Sequence, residues 1–221
     1  MWFVAMVAFV ATVIPGSGQS SSSSNSKHRG AVTPSNSALE PGTIGNNTYR
    51  NNSLGITCQV PLGWVLRTDD MNAGDDDSDT NATPASSSDP KQGRVLLAAF
   101  SRPPEARGED VNASIVIAAE SVNAYPGLKE AAQYLGPIAE VAKAQGFTVA
   151  HQPYEIAIGA KPLAREDFQK DVGSRVMRQS TLVFLAKGHA VSLTFIGGTE
   201  DEVDELIGAL TFTAPAQAGR P

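Results

Sequence analysis

A single cysteine, Cys58, rules out an internal disulfide in this chain of 221 residues, so its fold must rest on a hydrophobic core. A basic excess is missing too. The formal net charge is −6, and it sits in one place: Asp69, Asp70, Asp75, Asp76, Asp77 and Asp79. Without those six aspartates, acidic and basic residues are equal in number, which excludes the basic face expected of a nucleic-acid binder. The three histidines, His28, His151 and His189, have no HxH or HExxH spacing, so zinc ligation has no support. No GxSxG elbow marks a nucleophilic serine. Aromatic residues make up 6% of the chain, leaving aliphatic side chains to form most of the core.

No apolar run is long enough to cross a membrane as a helix. The longest, Trp2 to Ile14, would span about 20 Å, against a hydrocarbon core of roughly 30 Å. Gly16 and Gly18 then fall at the −3 and −1 places for a cut before Gln19. Residues 1–18 therefore read as a signal peptide, and the protein as exported, periplasmic or extracellular. No Lys or Arg precedes the run, and retention in the membrane through an uncleaved N-terminus stays open. Residues 19–45 are Ser, Asn, Gly, Thr and Pro in the main, too polar to offset their ordering entropy, and read as a disordered tether. One folded domain is expected over 46–214, with a disordered acidic loop at about 69–92 and a flexible tail at 215–221.

Within the domain, strands are expected at Tyr49-Arg50, Leu54–Val60, Arg94–Phe100 and Ala113–Ala119. Cys58 shares a face with Ile56 and Val60 and reads as buried core. Pro61-Leu62-Gly63-Trp64 closes its strand, with Trp64 as a core anchor. Leu128, Ala131, Leu135, Ile138 and Ala142 step at helical spacing, and Gly136-Pro137 predicts a kink or two short helices. Phe147–Ile158 and Leu163–Asp171 follow as strands. Arg175–Ala186 and His189–Ile196 then flank Lys187-Gly188 as a hairpin. Thr199-Glu200-Asp201-Glu202 is a capping box opening a last helix, whose apolar face is Val203, Leu206, Ile207 and Leu210. The fold class is α/β in the α+β sense, an antiparallel sheet flanked by helices.

The order of these motifs resembles the PsbP-like fold family, which includes the extrinsic subunit of photosystem II and many bacterial exported domains. Tyr49-Arg50-Asn51 stands shortly before Leu54-Gly55-Ile56, and Pro61-Leu62-Gly63-Trp64 ends that strand. Ala157-Ile158-Gly159, Arg165-Glu166-Asp167-Phe168, the turn at Lys187-Gly188-His189 and a closing helix running into Leu210-Thr211-Phe212 complete the likeness. The resemblance implies an antiparallel sheet sandwiched between helices and a protein that binds or assembles with other proteins. It transfers no active-site residue, and the aspartate-rich loop departs from it.

Three constellations carry candidate chemistry. Asp75, Asp77, Asp79 and Asn81 alternate as Ca²⁺ oxygen ligands do, but Thr80 and Ser86 stand where an EF-hand loop needs Gly and Glu. His151 or His189 with a spatially adjacent Ser and Asp would make a hydrolase. Arg165 and Asp167, two apart on a strand, share one face, either as a surface ion-pair ladder or as a patch that docks a partner. Asn46, Asn51, Asn81 and Asn112 each open a glycosylation sequon. No catalytic, cofactor or metal residue is assigned. The expectation is a non-catalytic binding or assembly module whose partner is another protein or a cell-envelope component, with an exported hydrolase as the alternative.

Overall fold

The computed structural model describes residues 39–73, 93–106, 108 and 110–213. The N-terminal apolar run, His28, the Asp75–Asn81 constellation and the 215–221 tail lie outside the described residues. Strands dominate what is described. The larger sheet contains β4 (Val65–Leu66), β5 (Arg94–Phe100), β6 (Ser114–Ser121), β7 (Thr148–Ile158), β8 (Lys161–Val172), β9 (Arg175–Ala186) and β10 (His189–Gly197). Its order is β4-β5-β6-β10-β9-β8-β7, and each neighbouring pair is antiparallel. A smaller antiparallel sheet joins β1 (Thr43–Gly45), β2 (Thr48–Asn51), β3 (Ile56–Gln59) and β11 (Leu210–Phe212). Three α-helices complete the set: α1 (Thr68–Ala73), α2 (Ala131–Ala144) and α3 (Glu200–Gly208).

Local chemistry sets several of these elements. Lys187 and Gly188 both have positive φ, 49° and 75°, as a type I′ turn requires, and they pair Ala186 with His189. At the end of α2, Phe147 N–H donates to Ala142 O and Gly146 N–H to Lys143 O, a Schellman motif made possible by Gly146 at φ 85°. Thr199 Oγ1 accepts from the Glu202 backbone at 3.1 Å. Glu202 reaches back one residue further than a capping box prescribes, accepting from Gly198 N–H at 2.7 Å.

The large sheet is covered on both faces, which is why β6 is buried along almost its whole length. On one face lie the small sheet and α3. Ile56, Cys58 and Leu210 pack there with Leu182, Leu193 and Phe195 of the large sheet and Val203, Leu206 and Ile207 of the helix. On the other face α2 buries Tyr134, Leu135, Ile138, Ala139 and Ala142 against Ala164, Phe168, Val183 and Ala190. Met71 of α1 packs beside them on Val95, Ala98, Phe100 and Val116.

Five expectations need correction. The packed chain starts before 46: Leu39 lies on the core, and Pro41 O and Glu40 O accept from Tyr49 Oη and Asn51 Nδ2. The first five residues of the expected 69–92 loop belong to α1, where Asp69 and Asp70 suit the positive end of the helix and Asn72 bonds both ways to Val95. Of the two outcomes expected at Gly136-Pro137, the division into two short helices does not occur: α2 runs through Pro137, with buried residues on both sides of it pinned to the sheet. Leu210, expected on the apolar face of the last helix, instead opens a strand, Leu210–Phe212, paired with β3. Trp64 packs on the rim of the core, half-buried, beside a Leu62 that is 87% exposed.

Candidate functional site

The side chains of Arg165 and Asp167 emerge on the face of β8 that looks toward α3, as their two-residue spacing requires. Register supplies their neighbours. Tyr154 of β7 lies opposite Arg165, while Asp167 lies between His151 of β7 and Ser180 of β9. Because α3 packs on β10 and β9 while β11 reaches β7, the part of this face beside His151 and Tyr154 of β7 remains open. The result is a cleft of about 540 Å³ with Arg165, Asp167 and Ser180 in its floor and Glu200, Val203 and Asp204 in its wall.

Asp167 is the hub. Its Oδ1 accepts from Arg165 Nε at 2.8 Å and from Ser180 Oγ, and its Oδ2 accepts from Tyr154 Oη at 2.8 Å. His151 Nδ1 stands 3.5 Å from the same Oδ2. Burial pushes the Asp167 carboxyl up, but the hydrogen bonds from Ser180, Arg165 and Tyr154 outweigh it and hold the group below the usual carboxylate range. The Tyr154 hydroxyl is pushed up to about 12, by burial first and then by the carboxylate it donates to. Arg165 also donates from Nη2 to Ser180 Oγ at 3.1 Å and to Asp204 Oδ1 at 3.0 Å, and its guanidinium carbon lies 5.8 Å from the Tyr154 ring centroid. With side chains only 17% and 11% exposed, Arg165 and Asp167 are not the surface ladder that spacing alone allowed.

The residues that a hydrolase would use are not wired as a triad. His151, Asp167 and Ser180 do converge, yet Ser180 donates to the carboxylate and not to the imidazole. A nucleophile needs a base at its hydroxyl, and here the hydroxyl is buried and already engaged. His189 Nδ1 meets only the Lys187 carbonyl, at 2.8 Å, far along the sheet from this cluster. Cys58 is fully buried, and burial pushes its thiol up to about 12, so it is no thiolate nucleophile. Among the described residues, no group of three His, Cys, Asp or Glu side chains is placed to hold a metal. Of the sequons, Asn51 is fully buried with both side-chain ends hydrogen-bonded, and the Asn112 amide is tied to Ser101 and Arg102.

Nothing in the sequence marks Tyr154, Ser180 or Asp204 as partners; strand register reveals the first two and the packing of α3 on the sheet the third. Nor does anything mark Glu166, on the opposite face of β8. That side chain is buried, and its Oε2 has no hydrogen-bond partner among the described residues. Burial pushes its carboxyl up, Lys143 opposes the shift and Asp167 adds to it.

No protein-family model and no curated protein matches the chain. Solved structures do. The solution structure of the cyanobacterial PsbP of Synechocystis (CyanoP) is 14% identical with a TM-score of 0.45, covering 78% of this chain and 98% of that one. LpqN of Mycobacterium tuberculosis, described as involved in cell envelope biogenesis, is 17% identical with a TM-score of 0.39, over 72% of this chain and 83% of its own. The Ran-binding protein Mog1p of Saccharomyces cerevisiae is 14% identical with a TM-score of 0.36, over 70% of this chain and 77% of its own. The distant PsbP-like resemblance drawn from motif order thus meets a solved PsbP structure. This is a likeness of fold alone.

Proposed function

We propose that the chain is an exported, non-catalytic binding module that docks a partner protein through the cleft beside α3. The supporting observation is the engagement of Asp167. A carboxylate that accepts from Ser180, Arg165 and Tyr154 is held in its charged form below the usual carboxylate range, which makes it a weak base, and its role is to hold Arg165 and Tyr154 in place. A rigid guanidinium beside an aromatic ring on an open floor is recognition chemistry. Backbone pairing with a partner strand is disfavoured at the β7 edge, where Pro153 and two register shifts interrupt the ladder. Export is supported by Trp2–Ile14 and the small residues at 16 and 18. No helix among the described residues is long and apolar enough to cross a membrane.

A photoreactive residue introduced at Gln152, beside the cleft, should yield a discrete adduct in the native host, while one at Lys129 on the α2 side should not. Turnover in a broad hydrolase screen that vanishes in His151→Ala would overturn the reading in favour of the hydrolase. N-terminal sequencing of the secreted form should begin at Gln19.

A further inference from the structure

We propose that the cleft takes an acidic protein segment presenting two carboxylates about one helical turn apart, and that Glu200 and Asp204 hold its two arginines until it arrives. The inference rests on the binding role proposed above and names the chemistry of the partner. The two arginines that line the cleft have donors to spare. Arg165 uses Nε and Nη2, and its two Nη1 hydrogens have no partner among the described residues. Arg178 uses only Nη1, on Gln169 Oε1 at 3.4 Å and Glu200 Oε1 at 3.0 Å, leaving Nε and Nη2. Asp167, the buried acceptor, already takes three hydrogen bonds.

The carboxylates now meeting these arginines differ sharply from Asp167. Asp204 and Glu200 are 62% and 69% exposed, against 11% for Asp167. With one partner so open to water, each pair is screened and weak. They are four residues apart on α3, a separation that puts their Cβ atoms roughly 6 Å apart. That spacing is a template for the ligand. An incoming pair of carboxylates releases Asp204 and Glu200 to water at small cost, takes over both guanidinium partners, and adds the idle Nη1 edge of Arg165 as a two-pronged contact. The chain as a whole is acidic, with 23 acidic against 17 basic residues, so it does not attract polyanions at large. Binding of an acidic peptide therefore reports on these arginines.

The test uses fluorescence anisotropy with the full chain and two labelled alanine-based helical peptides, one carrying glutamates at i and i+4, the other lysines. The glutamate peptide should bind saturably and weaken as salt rises. The double variant Glu200→Gln/Asp204→Asn should bind it up to about tenfold more tightly, since two competing pairs of about 0.7 kcal/mol are gone. Arg178→Gln should abolish binding. Arg178, 29% exposed, is less buried than Arg165 at 17%, and urea unfolding of Arg178→Gln checks that this variant is folded before its binding is read. Binding of the lysine peptide in place of the glutamate one, or no binding of either, overturns the assignment of ligand class. So does glutamate binding unmoved by Arg178→Gln. A Gln152 adduct alongside any of these results leaves the binding role standing, and its absence removes both.

Discussion

Glu166 and Asp167 are consecutive carboxylates on one strand, both buried, and they lie in opposite electrostatic worlds. Asp167 faces the cleft, where Ser180, Arg165 and Tyr154 donate to it. Glu166 faces the α2 side, where Phe168 and Thr181 are its buried neighbours and its Oε2 meets no donor. Near it the buried Gln179 Oε1 is also without a partner. The chain thus places the same functional group on two sides of one sheet, ionised and fixed on the first, penalised for ionising on the second. What a carboxylate does here follows from the donors that tertiary structure brings to it, not from its burial.

The most severe way to break this contrast is to empty the satisfied side. Asp167→Ala leaves a mostly buried Arg165 without its main partner, which should cost about 3–5 kcal/mol in urea unfolding. The folded Asp167 pKa lies below its ordinary value of 3.8, so its contribution is present above that pH and is lost as the pH falls through the folded value. Wild type and variant should therefore converge in strong acid.

Removing partners instead of the residue turns satisfied groups into orphans resembling Glu166. A chain beginning at Asn46 loses β1, the Leu39 packing, and the carbonyls of Glu40 and Pro41 that accept from Asn51 and Tyr49. Unmet buried donors cost about 1–3 kcal/mol each. The shortened chain should lose roughly 2–4 kcal/mol in the same measurement, where a dispensable tether would lose nothing.

The smallest effect comes from relieving the unsatisfied side. Glu166→Gln removes a charge the fold disfavours and offers an amide donor, for a gain of about 1 kcal/mol at pH 7. The folded Glu166 pKa lies above its ordinary value of 4.5, so its penalty is complete above the folded value and fades as the pH drops toward 4.5. The advantage of the glutamine should shrink over that window. A constant gain across pH would mean that packing, not charge, separates the two sides.

Features with a local cause were legible in the sequence. The Lys187-Gly188 turn needs two residues that accept positive φ, the Thr199 cap needs a hydroxyl, and the α2 face needs only helical spacing. The shared face of Arg165 and Asp167 also follows from a period of two. Partners do not. β7 shifts register between Val149 and His151 and again before Tyr154, so no even count along two strands sets His151 beside Asp167. β1 escaped notice because its three residues are all exposed and carry no periodic signal. α1 was hidden by the aspartates that favour its first turn.

The seam between β3 and β11 sets a timetable for the molecule. It joins residues 56–59 to 210–212, nearly the whole described length apart, and Leu210 sits directly opposite Cys58. Contacts so distant in sequence make folding slow, because the loop between them must close before the pairing repays it. A chain delivered N-terminus first presents β1, β2 and β3 early, yet the strand that completes their sheet, and α3 that seals the same core, arrive last among the described elements. For a protein exported as proposed, this order keeps the chain threadable during passage and reserves its collapse for the far side of the membrane.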